Sequence, residues 1–395
     1  MERLQPAIRP YAWGSRHGIA ELQGRPVPAA GPEAELWMGA HPSSPSGAAG
    51  TTLDAVIAAD PDRELGPGCV ARFGPRLPFL LKVLSAEVAL SIQVHPSRAQ
   101  AEIGFRADNE RGLAPDDPAR NYVDDWPKPE LLCALTPFEV LAGLRTPSDA
   151  AALLRTLAVD QLAPLAAELQ AATGPQALSR ALATILTWPA PEELAAAVVA
   201  ACTTLDLGPY AGACAAVVRE AGNRPGDLGL VAMLLMRHVV LAPGQAVFMP
   251  AGGLHAYLRG TGIEVLANSD NVIRVGLTGK HIDVPELLKL LDPAVTVPVL
   301  SPAPLAEGVG RFDTRAPEFA LYVADLTEDA VTLPGTGPRI VLCTAGTAAL
   351  RTEAGESAVL PRGDSCFIPA ADGPLRAAGP AHLFLAAPGP PGPLG

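Results

Sequence analysis

The chain has 395 residues, 49% of them hydrophobic and 18% charged, which is enough apolar surface for two or three compact units. Its formal net charge of -12 argues against binding to a nucleic-acid backbone, because that affinity rests on clustered Lys and Arg. An anionic small substrate stays open, since a few local cations can outweigh the field of the whole protein.

The cellular setting can be predicted from the N-terminus and the cysteines. The N-terminal sequence MERLQPAIRPYAWGS lacks the apolar segment of a signal peptide, and no apolar run is long enough to span a bilayer. The six cysteines are scattered without a C-x-x-C pair, which is typical of reduced thiols rather than of a disulfide framework. We therefore expect a cytoplasmic protein with no membrane or nucleic-acid partner.

Residues 1 to about 142 contain short β-like runs separated by Gly and Pro, a pattern that predicts a sandwich or barrel. One run, LSIQVHP, carries polar groups inside an apolar strand. Because side chains on a strand alternate between faces, its apolar residues, beginning with Leu90, should face one way, and Ser91, Gln93 and His95 the other.

Residues 147 to about 236 have a helical composition rich in Ala, Leu, Glu and Gln. Thr146 followed by Pro147 predicts an N-cap and a first helical position, with Asp149 in the first turn. This region has almost no candidate catalytic side chains, so we interpret it as a structural helical insert.

The β pattern resumes at about residue 238, and two later segments look alike. GQAVFMPAGGLHAY and GDSCFIPAADGPLRAAG both read as a polar turn, a short strand ending in Pro-Ala, and a second turn. Such a repeat predicts two related jelly-roll barrels. The second copy has Leu375 and Arg376 near the place of His255, so we expect it to lack a metal site.

Four residues offer a candidate metal site. His95 and His255 lie at strand ends in matched contexts, Gln93 precedes one of them by two positions, and Glu130 lies on a nearby strand. A single histidine at such a position is more often a hydrogen-bonded structural residue. Together, however, the four offer imidazole and oxygen donors without thiolate, which suits Zn²⁺ and also Mn²⁺, Fe²⁺ or Co²⁺.

Three basic residues stand in or beside apolar strands. Lys128 shares a strand face with Glu130, and the apolar residues that follow indicate a buried pair rather than a solvated one. Arg274 lies between two β-branched residues, so it needs either an internal partner, such as Asp270 or Glu264, or an anionic ligand. Lys280 could supply a second cation for such a ligand.

Several long motifs, in order along the chain, together resemble type I mannose-6-phosphate isomerases. They are PYAWG (10–14), ELWMGAHP (35–42), PFLLKVLSA (78–86), LSIQVHP (90–96), KPE (128–130), MPAGGLHAY (249–257), NSDNVIRVGLTGK (268–280), PEFAL (317–321) and GDSCFIPA (363–370). The resemblance covers nearly the whole chain. It implies a mainly β fold with an α-helical insert, built from two cupin-type jelly-roll barrels and a helical domain.

The resemblance also implies domain boundaries and site residues. Residues 1–145 with 238–292 would form the metal-binding cupin domain, 146–237 the helical insert, and 293–395 a cupin-like domain without metal. One Zn²⁺ per chain would be held by Gln93, His95, Glu130 and His255, with Arg274 as the active-site arginine. The positions that match the family's substrate pocket are Trp13, Ser91, Lys128, Tyr257, Glu264, Asp270 and Lys280.

The implied reaction is the interconversion of mannose 6-phosphate and fructose 6-phosphate through an enediol-like state. It needs a base of tuned pKa and a cation near the developing negative oxygen. Lys128, Glu264 and Asp270 all remain candidates for the base, with Lys128 and Arg274 as the predicted catalytic residues. Ser91 and Lys280 are candidates for binding the phosphate of the sugar-phosphate substrate.

Other functions stay open at this level. A different metal-dependent cupin enzyme, such as an oxygenase or an epimerase, would share the donor set, and a non-catalytic sugar-phosphate sensor would share the pocket. Two positions depart from the family pattern, with Pro127 in place of a frequent His and Ser43 in place of the usual Lys. The first argues against an essential histidine there, and neither touches the predicted ligands. We expect a monomer.

Overall fold

The computed structural model describes residues 1–390, and its N-terminal part is mostly β. The strands up to residue 145 are β1 (Glu2–Arg3), β2 (Ala7–Arg9), β3 (Glu35–Met38), β4 (Gly47–Ala48), β5 (Thr51–Thr52), β6 (Phe79–Ala86), β7 (Ile92–Val94), β8 (Glu130–Ala134) and β9 (Phe138–Leu144). The helices are α1 (Gly18–Leu22), α2 (Leu53–Ala59), α3 (Pro61–Leu65), α4 (Pro67–Phe73) and α5 (Arg98–Glu110).

The central region is helical, as its composition predicts. Its helices are α6 (Pro147–Leu157), α7 (Ala163–Ala171), α8 (Gln176–Leu186), α9 (Pro191–Thr204), α10 (Ala211–Asn223) and α11 (Gly229–Ala232). The predicted start is confirmed, since the Thr146 side chain accepts a hydrogen bond from the backbone N–H of Asp149 at 3.2 Å and Pro147 opens the helix.

The rest of the described chain returns to β structure around one short helix, α12 (Val284–Leu290). Its strands are β10 (Met236–Leu241), β11 (Ala246–Met249), β12 (His255–Ala267), β13 (Ile273–Gly276), β14 (Val299–Leu300), β15 (Ala303–Ala306), β16 (Val309–Arg311), β17 (Ala320–Leu326), β18 (Val331–Leu333), β19 (Arg339–Thr352), β20 (Ser357–Pro361), β21 (Ser365–Ile368), β22 (Leu375–Ala378) and β23 (Ala381–Ala387).

Two large antiparallel sheets organise the β regions. The first has 11 strands, in which β12 pairs with β6, β7, β8 and β9. The second has 10 strands and runs along the path β1-β21-β19-β23-β17-β16-β15. A mainly β fold with a helical insert is therefore confirmed. The long strand β12 is the element that brings the other strands of the first sheet together.

Strand pairing crosses the domain boundaries predicted from the sequence at two places. β1, near the N-terminus, pairs with β21 of the second sheet, and β14, which follows residue 293, pairs with β11 of the first. Each sheet thus takes a short strand from the other's segment. The exact division of the chain into domains stays a prediction.

The helical insert and the first sheet share one hydrophobic core. Ile92 and Val94 of β7 and Val275 of β13 are buried in the same cluster as Leu182 and Val198 of the insert. No single helix among residues 1–390 is long and apolar enough to cross a membrane. The pair Gln176–Leu186 and Pro191–Thr204 passes that test only together and is bent by 115°.

The expected strand alternation around LSIQVHP is wrong at one position. Leu90 packs in a different cluster from Ile92 and Val94, beside Trp13, because regular strand β7 begins only at Ile92. The backbone N–H of Leu90 instead donates to the carbonyl oxygen of Tyr257 at 2.9 Å. The segment before Ile92 lines the cavity described below.

Candidate active site

The register of three strands places predicted site residues side by side. Gln93 of β7 is the direct partner of His255 on β12 and of Arg274 on β13. Directly opposed residues of an antiparallel pair point to the same face of a sheet. An imidazole, an amide and a guanidinium therefore form one row across the sheet.

His95, Glu130 and His255 form a buried cluster whose ligand atoms all lie within 4.8 Å of one another. Nε2 of His95 is 3.3 Å from Oε1 of Glu130, and Nε2 of His255 is 3.2 Å from Oε2. Neither Nε2 atom makes a hydrogen bond, although both are buried. Buried nitrogens left without a partner beside a carboxylate are the arrangement expected of ligands for a divalent ion.

The other ring nitrogens of the two histidines are held by backbone carbonyls. Nδ1 of His95 lies 2.8 Å from the oxygen of Asn271, and Nδ1 of His255 lies 3.2 Å from the oxygen of Gly253. A carbonyl can only accept, so each Nδ1 carries the proton and each Nε2 presents its lone pair to the cluster. Such outer contacts are the usual way in which a protein orients metal-binding histidines.

The charge state of the cluster also suits a metal. Burial, reinforced by the charge of Lys128, lowers the pKa of His95 to about 4, so its imidazole is neutral near pH 7. Burial alone would raise the pKa of Glu130, but Lys128, at 2.7 Å from Oε1, and His95 hold it well below the ordinary value. Metal ligands must be deprotonated, and both of these are.

Gln93 is the fourth predicted donor. Its Nε2 donates to the backbone oxygen of Ser91 at 3.3 Å, which leaves Oε1 as the acceptor atom. Gln93 is 9% exposed, whereas His95 and His255 are 1% and 0% exposed. The residues present therefore fit Zn²⁺, with two imidazoles, one carboxylate and one amide oxygen.

A cavity of about 730 Å³ opens beside this cluster. That volume lies within the usual range for small-molecule sites. The predicted site residues that line it are Trp13, Ser91, Gln93, Lys128, Arg274 and Lys280. Glu35, Asn223 and Arg224 also line it, although the sequence did not single them out.

The side chain of Arg274 has no hydrogen-bond or ion-pair partner within residues 1–390, so the internal ion pair considered from the sequence is not formed there. Glu264 pairs instead with Lys82 at 3.3 Å, and Asp270 with His41 at 3.3 Å. Burial lowers the pKa of Arg274, and the charge of Arg274 in turn lowers the pKa of Lys280. The cavity therefore has uncompensated positive charge, which favours an anionic ligand.

Three other predicted pocket residues lie outside the lining of this cavity. Tyr257 is buried, with its hydroxyl 3.4 Å from Oε2 of Glu130, so it contacts a predicted ligand rather than the open space. Glu264 is buried beside Lys82, and burial raises its pKa to about 7. The side chain of Asp270 is 54% exposed at the protein surface.

A buried ionic group behind the cavity was missed by the sequence reasoning. Lys82 lies between Glu35 at 3.4 Å and Glu264 at 3.3 Å, all three are buried, and its Nζ is 4.9 Å from the centroid of Trp37. The charges of Glu35 and Glu264 outweigh the effect of burial and raise the pKa of Lys82. A lysine inside the apolar run FLLKVL was the available signal, because a charge there requires partners.

His41 was missed for a different reason. It stands in AHPSS, where no strand pattern marks it, and it is 3% exposed. Its Nδ1 is 2.9 Å from the hydroxyl of Ser43, and its Nε2 faces Asp270. Ser43, one of the two departures from the family pattern, thus orients the ring that holds Asp270.

Comparison with known proteins now identifies the family. Residues 1–147 match the model for the catalytic domain of type I phosphomannose isomerase. The mannose-6-phosphate isomerase of Escherichia coli (strain K12) is 38% identical over 97% of this chain and 98% of its own length. This chain belongs to the mannose-6-phosphate isomerase family.

More distant relatives and a solved structure extend that assignment. The mannose-6-phosphate isomerase of Aspergillus fumigatus is 34% identical over 87% of this chain and 86% of its own. A crystal structure of a mannose 6-phosphate isomerase bound with zinc and yttrium is 35% identical, with a TM-score of 0.89 over 98% of this chain and 99% of its own. The fold of the family thus spans both sheets and the insert.

Proposed function

We propose that this chain catalyses the reversible isomerisation of mannose 6-phosphate to fructose 6-phosphate with one zinc ion per chain. The observation that carries the proposal is the Arg274 side chain, which has no partner within residues 1–390 and lines a cavity together with Gln93 and with Lys128, the lysine that contacts Glu130 of the buried donor cluster. An isolated zinc site would explain the donors, but it would leave a desolvated arginine without a partner. An anionic, oxygen-rich substrate explains both.

Gln93, His95, Glu130 and His255 would hold the zinc, which would supply Lewis-acid polarisation of sugar oxygens. The support is chemical, because the buried Nε2 atoms lack partners and the carboxylate between them is ionised. It is also comparative, because a family member of the same fold was crystallised with zinc.

In the isomerisation a proton leaves one carbon of the sugar and returns to its neighbour, while negative charge develops on an oxygen. We assign to Arg274 the donation of hydrogen bonds to that oxygen, since its guanidinium has no competing acceptor. Donors already desolvated and aimed at developing charge lower the barrier without reorganising during the reaction.

Of the three candidates for the proton-transfer group, we propose Lys128, whose Nζ would hold or move the proton. It lines the cavity and also contacts Glu130, whereas Glu264 and Asp270 lie outside the lining, in contact with Lys82 and His41. Those two carboxylates would position Lys82 and His41. Tyr257, in contact with Glu130, would orient a zinc ligand in the same way.

The phosphate would bind at the end of the cavity lined by Ser91 and Lys280, with Trp13 as an apolar wall for the sugar. We further propose that the chain acts as a cytoplasmic monomer without membrane or nucleic-acid partners. The support is that one chain supplies every residue of the site, that its net charge is -12, and that all six cysteines are free thiols.

The test is a coupled assay that follows conversion of mannose 6-phosphate to fructose 6-phosphate before and after chelation. Activity should disappear with the chelator and return when about one equivalent of Zn²⁺ per chain is added. Tight binding of mannose 6-phosphate without turnover by the zinc-loaded protein would contradict the proposal and favour a sensor. Recovery with Fe²⁺ and O₂ consumption, but not with Zn²⁺, would favour an oxygenase.

A further inference from the structure

The helical insert supplies part of the substrate cavity. We propose that Arg224, in the loop after helix α10, is a third cation of the phosphate end and determines specificity for a phosphorylated sugar. The inference rests on the proposed function, but it concerns a segment that sequence reasoning treated as purely structural. Four observations carry it.

The first observation is where Arg224 lies and what it lacks. Arg224 and Asn223 line the same cavity as Arg274 and Lys280. The exposed Arg224 side chain makes no hydrogen bond or ion pair within residues 1–390. Other arginines of the insert do have side-chain partners there, namely Arg155 with Gln170, Arg180 with Glu168, and Arg219 with Glu139.

The second observation is that the Arg224 loop is bound to the strand that carries Arg274. Asp227 accepts from the backbone N–H of Gly229 at 2.7 Å and from that of Thr278 at 3.1 Å. Gly229, which follows this loop as the first residue of α11, also touches the end of β13 backbone to backbone, since a Cβ added at Gly276 would lie 2.4 Å from Cα of Gly229. No side chain other than hydrogen fits between them.

The third observation is a second carboxylate that links the insert to the opposite wall of the cavity. Glu220 on α10 is 1% exposed, and it accepts from the backbone N–H of Ala89 at 3.3 Å and from Nδ2 of Asn223 at 3.1 Å. Ala89 belongs to the same segment as Ser91. The end of α10 is thus attached to both loops that border the phosphate end, so the backbone of Arg224 is fixed there.

The fourth observation is the unbalanced charge at this end. Arg274 already lowers the pKa of Lys280, so the two cations repel each other when the cavity holds no anion. Arg224 adds a third cation to the lining of the same cavity. A phosphate, with about two negative charges and three acceptor oxygens, relieves this repulsion, and a guanidinium can bind two of those oxygens at once.

The expected effect is on binding rather than on chemistry. The phosphate does not react, so a contact to it is made equally in the ground state and the transition state, and its loss raises KM with little change in kcat. Losing one charge-assisted hydrogen bond weakens binding by about tenfold. The affinity for an unphosphorylated sugar alcohol should not change.

The test uses Arg224→Gln in the full zinc-loaded chain, with Arg180→Gln as a control that removes another exposed charge of the insert outside the cavity lining. Initial rates give KM and kcat for mannose 6-phosphate. Calorimetry gives the affinity for glucitol 6-phosphate and for glucitol. We expect Arg224→Gln to raise KM about tenfold and to lower the affinity for glucitol 6-phosphate about tenfold. Its kcat should stay within about twofold of the parent, and its affinity for glucitol and its zinc content should be unchanged. Arg224→Lys should recover part of the loss, and the control should match the parent.

Unchanged KM and unchanged affinity for glucitol 6-phosphate in Arg224→Gln would overturn the inference. A fall in kcat together with loss of zinc would also overturn it, because Arg224 would then act through the fold. The two proposals fail separately. If the parent protein lacks isomerase activity but binds glucitol 6-phosphate through Arg224, the phosphate contact stands and the proposed reaction does not.

Discussion

Replacing Arg274 should lower the activity strongly without lowering the stability of the fold. Arg274→Met removes the charge and all guanidinium donors while keeping most of the apolar stem. In residues 1–390 the Arg274 side chain has no partner to lose, burial disfavours its charge, and it repels Lys280. We therefore expect the free energy of unfolding to stay within about 0.5 kcal/mol of the parent or to increase.

The expected effect of the same substitution on turnover is large. Removing a preorganised donor at a developing oxyanion costs about 10²- to 10³-fold in kcat, or about 2.7–4 kcal/mol of transition-state stabilisation. Zinc should stay near one per chain, because within residues 1–390 the Arg274 side chain makes no hydrogen bond to the histidines or the carboxylate of the cluster. Steady-state kinetics, elemental analysis and urea unfolding on the same preparation measure all three quantities.

Arg219→Met provides the matched control for stability. Arg219 pairs with Glu139 at 2.7 Å and with the buried Glu220 at 3.0 Å. Because about a third of its side chain is exposed, we expect a loss of about 1–2 kcal/mol, discounted for solvent screening. Normal kcat in Arg274→Met would refute the role given to Arg274. A destabilisation as large as that of Arg219→Met would refute the conclusion that Arg274 is unpaired.

Three further predictions address the metal centre and the fold around it. His255→Ala should lose zinc and activity together, and stoichiometric zinc found by elemental analysis would remove His255 from the ligand set. Asn271→Ala should weaken zinc affinity about 10- to 100-fold in a competitive chelator titration. The backbone carbonyl of Asn271 holds His95, and the Asn271 side-chain amide holds that backbone in place by donating to Trp126. Unchanged zinc affinity would show that this support is unnecessary. Burial would raise the pKa of Glu139, but its hydrogen bond to His238 holds it below 4.5, so its stabilisation is present above pH 4.5 and is lost as pH falls through the lowered value. Glu139→Gln should accordingly cost about 1–2 kcal/mol at pH 6 and progressively less below pH 4.5 in chemical unfolding, and a difference that is constant with pH would contradict this.

Local patterns in the sequence were enough to predict secondary-structure elements and the chemical types of the metal donors. Thr146 and Pro147 mark the start of the first insert helix because capping depends on neighbours only three residues away. Imidazole and carboxylate groups at strand ends indicate a metal for a similar reason, since the chemistry of a donor belongs to the residue itself. The family motifs then fixed which strands carry them.

The sequence alone could not assign partners to the charged residues of the site. Glu264 and Asp270 were equally plausible partners for Arg274, yet they pair with Lys82 and His41. Such choices depend on the register between strands that are far apart in the chain, as when Glu264 is placed opposite Lys82 on β6. A shift of one residue would have turned each side chain to the other face.

What the sequence by itself determined is therefore the composition of the site: two imidazoles, an amide, a carboxylate and several cations on strands of a β protein. What only the tertiary structure decided is which of them meet. Among the described residues it left the Arg274 side chain without a partner, placed a buried lysine between two carboxylates, and brought Arg224 of the helical insert to the cavity. The physical reason is that local preferences act over a few residues, whereas these contacts join segments 47 or more residues apart, such as Glu35 with Lys82.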